Sequence, residues 1–307
     1  MGKNLRPDFL IIGMERSGTH WVAALLNNHP DIACFPTLPF YNEAGEQRVG
    51  EMHFFNTLAS LEVENEDRFT RPFSDFSTKY NKAFADLVHF KDEVSRDEVY
   101  RIFRERYSEF CDKQRGSKKI VGEATPAYVF HLNFIDSLYP AMQKLCILRD
   151  PKDKIVSWHF NMLRKGRKSE KHISREFALD YLRERIIPEY EALLAYSREV
   201  YCLTYEALSE YTYNVTADMV RYLGMPAPEE ILRRMVEEAS FENQTARDSK
   251  SVGRERGKED IKSGFRKGVV GDWKNNMSRE LAEEINGATE DLRKRVTSKF
   301  NIKTHGS

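Results

Sequence analysis

The sequence predicts an α/β domain with a central parallel sheet flanked by helices, and three observations carry that expectation. The apolar run Phe9-Leu10-Ile11-Ile12 ends at Gly13, crosses a short polar turn and opens at Thr19 into a helical pattern. That order reads as a strand, a loop and a helix whose first amides face an anion. Two more apolar runs, Lys144 to Leu148 and Val200 to Thr204, sit between longer segments of helical period. Strands alternating with helices build a parallel sheet covered on both faces. Arg149-Asp150-Pro151 then turns the run ending at Leu148 directly into a helix, with proline at the first turn as a start signal. At 307 residues the chain can bury a large core as a single domain spanning 1–307.

The elements follow in order. Thr19 to Asn28 reads as a helix ended by His29-Pro30, and Asp31 to Gly50, rich in Pro, Gly and aromatics, reads as a loop that lines something. An ordered piece begins at Glu51. A helical insertion is expected over about 61–117, its last part, Asp97 to Lys113, strongly helical by period. A short strand at Lys119 to Val121 leads through Pro126 to a helix near His131 to Leu138. Glu176 to Ser197 is helical, more helices run to about Glu238, and Ser278 to Lys299 closes the chain as a helix. Between them, about 242–272 is expected to be a mobile, glycine- and charge-rich loop that covers a bound nucleotide.

Acidic and basic residues balance at 48 each, so no global field argues for nucleic acid or a membrane surface, and any anion site must be local. No stretch is long or apolar enough to span a bilayer. The first strand begins within about eight residues, leaving no room for a signal peptide, so a cytoplasmic protein is expected. Cys34, Cys111, Cys146 and Cys202 show no metal-ligand rhythm and read as reduced thiols. No metal is expected.

The chemistry concentrates in three segments. Gly13 and Gly18 have the spacing of G-x-x-x-x-G-K-[ST], but Thr19 and His20 stand where the lysine and the magnesium-binding hydroxyl belong. ATP hydrolysis is therefore a poor reading, and Arg16 is the loop's own cation. At the second strand end, Arg149 is followed eight residues later by Ser157, on a helix face that can point back to it. An arginine and a hydroxyl there make a second phosphate clamp. Downstream, Phe265-Arg266-Lys267-Gly268-Val269-Val270-Gly271-Asp272-Trp273-Lys274 brings a basic pair and a glycine that can fold over an anion.

Together these segments resemble the nucleotide contacts of the sulfotransferases that use 3′-phosphoadenosine 5′-phosphosulfate (PAPS). The resemblance spans most of the chain and implies their P-loop-like fold, PAPS as donor and adenosine 3′,5′-bisphosphate (PAP) as product. It carries the 5′-phosphosulfate onto Arg16, Ser17, Gly18, Thr19 and His20, with Trp21 beside the adenine. It carries the 3′-phosphate onto Arg149, Ser157, Arg266, Lys267 and Gly268, in a closing motif of cytosolic type that begins at Phe265. Tyr205, Ser240 and Phe241 fall where that branch contacts adenine.

The acceptor side resembles another branch. Gly50-Glu51-Met52-His53-Phe54-Phe55-Asn56 is similar to the E-x-x-F-F-[DN] segment of the heparan sulfate sulfotransferases, whose glutamate is the base. Gly122-Glu123-Ala124-Thr125-Pro126-Ala127-Tyr128 is similar to their E-K-T-P-x-Y segment, except that Ala124 replaces a lysine. His20 or His53 can make up the missing cation.

The resemblance implies sulfuryl transfer to a hydroxyl or amine of a small-molecule, lipid or sugar (glycan) acceptor. Glu51 would be the base, Arg16 the leaving-group cation, and His20 and His53 nearby donors. Such transfer asks mainly for in-line positioning and for donors where charge develops. Glu123 reads as structural, tying loop amides together. Trp158, His159 and Phe160 read as core, and Arg164, Lys165, Arg167, Lys168 and Lys171 as a solvated helix end. Phe35 to Tyr41 and Leu61 to Lys113 are expected to shape the acceptor pocket. A P-loop nucleotide kinase and a non-catalytic nucleotide-binding protein on the same fold are the alternatives. Oligomeric state stays open.

Overall fold

The computed structural model describes residues 7–35, 40–41, 47–48, 51–62, 68–69, 94–170, 172–249 and 252–302. Five strands form the central sheet: β1 (Phe9–Ile12), β2 (Ile32–Phe35), β3 (Ile120–Ala124), β4 (Gln143–Leu148) and β5 (Tyr201–Thr204). They lie in the order β2-β3-β1-β4-β5, with every pairing parallel. The expected parallel sheet flanked by helices is therefore observed.

Strand β1 shows how the sheet divides the core. All four of its residues are fully buried, as a central parallel strand requires. Their side chains alternate: Phe9 and Ile11 join α1 (Thr19–Asn27), and Leu10 and Ile12 join the opposite layer. Opposite Phe9 sits Gly122. A Cβ there would lie 2.2 Å from the Phe9 ring, so only glycine lets these strands close.

Two expectations are corrected. The segment Asp31 to Gly50 is not all loop, because Ile32–Phe35 is the edge strand β2. Its four buried residues have no alternation to signal a strand, and β-pairing with β3 fixes them. Within the expected insertion, helix Arg96–Arg115 is the crossover that a parallel β2–β3 pair demands. Its Phe103, Tyr107 and Cys111 are fully buried in the same core layer as Phe35 and Val121 of those strands. Residues 63–67 and 70–93 of the insertion lie outside the described residues, as does most of the expected pocket wall at 36–39.

The chain also orders more of 242–272 than a loop reading allows. Phe241–Ser249 is helical, and Ser240 Oγ accepts the Asn243 amide at its start (3.2 Å). Beyond it, Gly257 N donates to the Lys267 carbonyl (2.9 Å) and Asp260 N to the Arg266 carbonyl (3.0 Å). All four cysteines are buried and none forms a disulfide, and Cys146 faces Cys202 in the β4–β5 register.

Candidate active site

The topology makes the site. The connection from β1 runs toward β2 and that from β4 toward β5, on opposite sides, so a crevice opens outside the carboxyl ends of β1 and β4. The loop after β1 hugs β4: at Gly13, with φ of 139°, a Cβ would lie 2.5 Å from the Ile147 carbonyl. Gly18, with φ of 108°, opens α1 without any side-chain cap, which leaves the first amides of that helix facing the crevice. A Cβ at Gly18 would lie 2.8 Å from the Tyr205 ring.

Arg16 stands at the centre of this edge, with a left-handed backbone (φ 71°). Its Nε donates to Ser157 Oγ (3.0 Å) and its Nη2 to the Gly264 carbonyl (3.1 Å). Burial and then the Arg149 charge push its pKa down to about 10, so it stays cationic at neutral pH. Arg149 donates from Nη1 to the Arg16 carbonyl and from Nη2 to the Val269 carbonyl, both at 3.2 Å. Its guanidinium lies 4.3 Å from the Tyr205 ring centre. Two buried polar atoms here, Ser17 Oγ and Arg149 Nε, have no hydrogen-bond partner among the described residues, and that is costly unless a ligand supplies one.

The neighbouring aromatic end is built from the residues expected around adenine. Trp21 Nε1 donates to the Ala239 carbonyl (3.1 Å), and its ring meets Tyr205 edge-on at 5.6 Å. Phe241 lies against Gly268, where a Cβ would come within 2.5 Å of its ring. Ser240, by contrast, spends its hydroxyl on the helix cap already described.

The cations of the closing motif are paired with carboxylates. Both Arg266 and Lys267 bond to Asp272, Lys267 at 2.9 Å, and Arg266 also pairs with Glu259. Burial alone would raise the Asp272 pKa, but hydrogen bonds from Lys267 and Arg266 hold it below the ordinary aspartate value. Asp153, likewise buried, accepts the Gly271 and Trp273 amides (2.6 and 3.0 Å). Arg254 anchors the same loop through the carbonyls of Lys258 (2.8 Å), Phe265 and Arg266 (3.0 Å). Sequence reasoning missed Asp153 and Arg254; the Asp153 position, four residues after Arg149, is the one signal that was available.

The carboxylate Glu51 lies between two histidines. His53 Nε2 donates to Glu51 Oε2 (3.1 Å), and His20 Nε2 is 3.8 Å from Oε1. His53 takes a left-handed conformation (φ 54°), sparsely populated for such a residue and common at functional sites. Burial pulls the Glu51 pKa up; the His53 hydrogen bond and the charges of His20, His53 and Arg16 outweigh it and bring the value below the ordinary range. The His20 pKa is lowered, first by desolvation and then by Arg16, with Glu51 pulling the other way. The Arg16 charge reaches both groups, and His20, in the first turn of α1, sets Glu51 beside the loop that carries Arg16.

Glu123 is excluded from that crevice. It is fully buried and accepts hydroxyls from Tyr107, Thr125 (2.7 Å) and Tyr128 (2.6 Å), not the loop amides expected of it. Burial raises its pKa. His159 and Phe160 are core, as expected, whereas Trp158 is partly exposed and stacks on Tyr181 at 5.4 Å. Among the described residues no cluster of three or more His, Cys, Asp or Glu is placed to hold a metal ion, and no helix is long and apolar enough to cross a membrane.

A family model described as a sulfotransferase domain matches residues 6–297. The chain is 29% identical over 196 residues to cytosolic sulfotransferase 12 of Arabidopsis thaliana, covering 57% of each chain. It thus spans a little over half the length of that plant relative. Mouse (Mus musculus) sulfotransferase 1E1 is 20% identical over 308 residues, covering 97% of this chain and 87% of the relative. The fold is similar to the crystal structure of mouse sulfotransferase SULT7A1 complexed with PAP, with a TM-score of 0.56, 15% identity, and coverage of 96% and 88%.

Proposed function

This chain belongs to the sulfotransferase domain family, and we propose that it transfers a sulfuryl group from PAPS to the hydroxyl of a small-molecule acceptor, leaving PAP. One observation carries the reading furthest. The crevice that joins Arg16, Ser157 and Arg149 holds two buried polar atoms, Ser17 Oγ and Arg149 Nε, without partners among the described residues, beside a histidine-flanked carboxylate. A nucleotide with two separated anionic groups fits that donor set, and Gly18, whose missing Cβ lets the loop pack against Tyr205 and Ile147, starts α1 with no side-chain cap on its first amides.

The donor, when bound, would supply the activated sulfuryl group and its own leaving group. Ser17, Thr19, His20 and the amides of α1 would hold the 5′ side, and Arg149 and Ser157 the 3′-phosphate. Trp21, Tyr205, Phe241 and Gly268 would enclose the adenine. Arg266 and Lys267 would reach the 3′-phosphate by exchanging Asp272 for it. Arg16 keeps its charge at neutral pH and would stabilise the departing phosphate oxygen. Glu51, ionised, would take the acceptor proton, with His53 fixing its orientation.

The name of the plant relative supports a cytosolic location. The test is a screen for PAP release with PAPS and panels of phenols, alcohols, amines, lipids and glycans, run beside Glu51→Gln. Activity with PAPS that Glu51→Gln abolishes while PAP still binds supports the reading. Turnover with ATP and magnesium instead, or binding without turnover for every acceptor, sinks it.

A further inference from the structure

Two arginines from the loop ahead of the closing motif reach the aromatic end of the crevice, and the reading above gives neither a part there. The Arg256 guanidinium lies 5.2 Å from the Trp21 ring centre, and that of Arg254 lies 5.5 Å from the Phe241 ring centre. Their other contacts set them apart. Arg254 spends its guanidinium on the carbonyls of Lys258, Phe265 and Arg266, and so braces the loop. Arg256, half-buried, donates from Nη1 to Ser209 Oγ (2.9 Å), and its side chain has no carboxylate partner among the described residues.

The backbone that carries Arg256 is pinned at two places. Its amide donates to Glu242 Oε1 (3.2 Å) on the helix Phe241–Ser249, and the next amide, of Gly257, donates to the Lys267 carbonyl (2.9 Å). Ser209 lies one turn after Tyr205 on the helix Tyr205–Glu210. Tyr205 in turn meets Trp21 edge-on and carries the Arg149 guanidinium over its ring. Arg149, Tyr205, Trp21 and Arg256 therefore alternate cation and ring in one row, from the phosphate clamp to the loop.

A guanidinium is drawn to an indole face. It is also planar and weakly hydrated, with a fork of N–H donors that stacks on rings and on bases alike. Adenine offers both things such a group takes, a flat π-face and ring-nitrogen acceptors. Packing alone would be served by an apolar side chain over Trp21, whereas a cation with donors to spare suits a purine.

We propose that Arg256 is a further nucleotide-binding residue, which closes the adenine side of the crevice by laying its guanidinium against the base beside Trp21. The inference rests on the sulfotransferase reading for its ligand. It adds to the ring of Trp21, Tyr205, Phe241 and Gly268 a cation that the loop brings in.

The test measures two ligands on the parent, Arg256→Met and Arg256→Lys: PAP by calorimetry, and its base-free analogue, 1-deoxyribose 3,5-bisphosphate, by displacement of PAP. Arg256→Met keeps the length of the side chain and removes charge and donors. Its PAP Kd should rise about tenfold, the scale of a cation–π or stacking contact to one base. Its affinity for the base-free analogue should stay within about twofold of the parent's, because the phosphate clamp is untouched. Arg256→Lys, with the charge but not the planar fork, should fall between the parent and Arg256→Met for PAP. An equal loss for both ligands would make Arg256 a prop of the loop, and unchanged PAP affinity would remove it from the site. Either result, in a parent that binds PAP, overturns the inference and leaves the sulfotransferase reading standing. A parent that binds neither ligand sinks that reading and the inference together.

Discussion

Arg16 Nε donates to Ser157 Oγ at 3.0 Å, which joins the loop after β1 to the helix after β4. Those residues are 141 positions apart, and the sheet order alone brings them together. Arg149 completes the joint by donating to the Arg16 carbonyl. The clamp is therefore held in shape by its own members before any ligand arrives.

Arg149→Ala should weaken nucleotide binding more than it weakens the fold. It removes a buried guanidinium whose Nε has no partner among the described residues, and charge-assisted bonds of this type contribute about 1.5–3 kcal/mol each. A rise in PAP Kd of roughly 10–100-fold follows, read by calorimetry. Arg149→Lys should recover part of it, since a lysine restores charge without the planar fork. Equal affinity in all three proteins would remove Arg149 from the site.

Glu51→Gln should cut turnover by about 10²–10⁴-fold, the usual worth of a positioned base, with PAP affinity within twofold. Because the ionised form is the active one and its pKa is depressed, the acid limb of kcat/KM should lie below the ordinary carboxylate range. His53→Phe removes the hydrogen bond that opposes burial, so that limb should move to higher pH. A limb that does not move on this substitution would show that His53 has no hold on the base.

The sequence announced the strand–loop–helix at Phe9–Asn27 because its signals are local: an apolar run, two glycines and a helical period. It announced Arg149 and Ser157 for the same reason. Strand β2 was illegible, since Ile32–Phe35 is held by pairing with β3 across a crossover far along the chain. The pairing of Arg266 and Lys267 with Asp272 depends on side-chain placement that no motif encodes. The buried ion pair of Lys154 and Glu189 left no pattern at all, because a pair between distant helices has no spacing to read.

Gly18→Ala tests the cradle. Its φ of 108° is strained for any residue with a Cβ, and that Cβ would meet the Tyr205 ring at 2.8 Å. A stability loss of about 1–2 kcal/mol is expected from the backbone alone. Loss of PAP binding should exceed it, because the loop must shift from β4. Intact PAP affinity in a folded Gly18→Ala protein would show that the loop is not the contact.

Glu123 separates a structural carboxyl from a catalytic one through pH. Burial raises its pKa above the unfolded value, so the native state holds the proton more tightly than the unfolded chain does. Its contribution to stability is then fully present below the unfolded pKa, near 4.5, and fades as pH rises through the raised value. Glu123→Gln removes the titrating group while keeping an acceptor for some of the hydroxyls of Tyr107, Thr125 and Tyr128. The variant should melt lower, by about 1–3 kcal/mol for the donors left unmatched, with a flatter dependence of melting temperature on pH above 4.5. Its acid limb in kcat/KM should stay where Glu51 sets it. A limb that shifts in Glu123→Gln and not in His53→Phe would exchange the roles of the two glutamates.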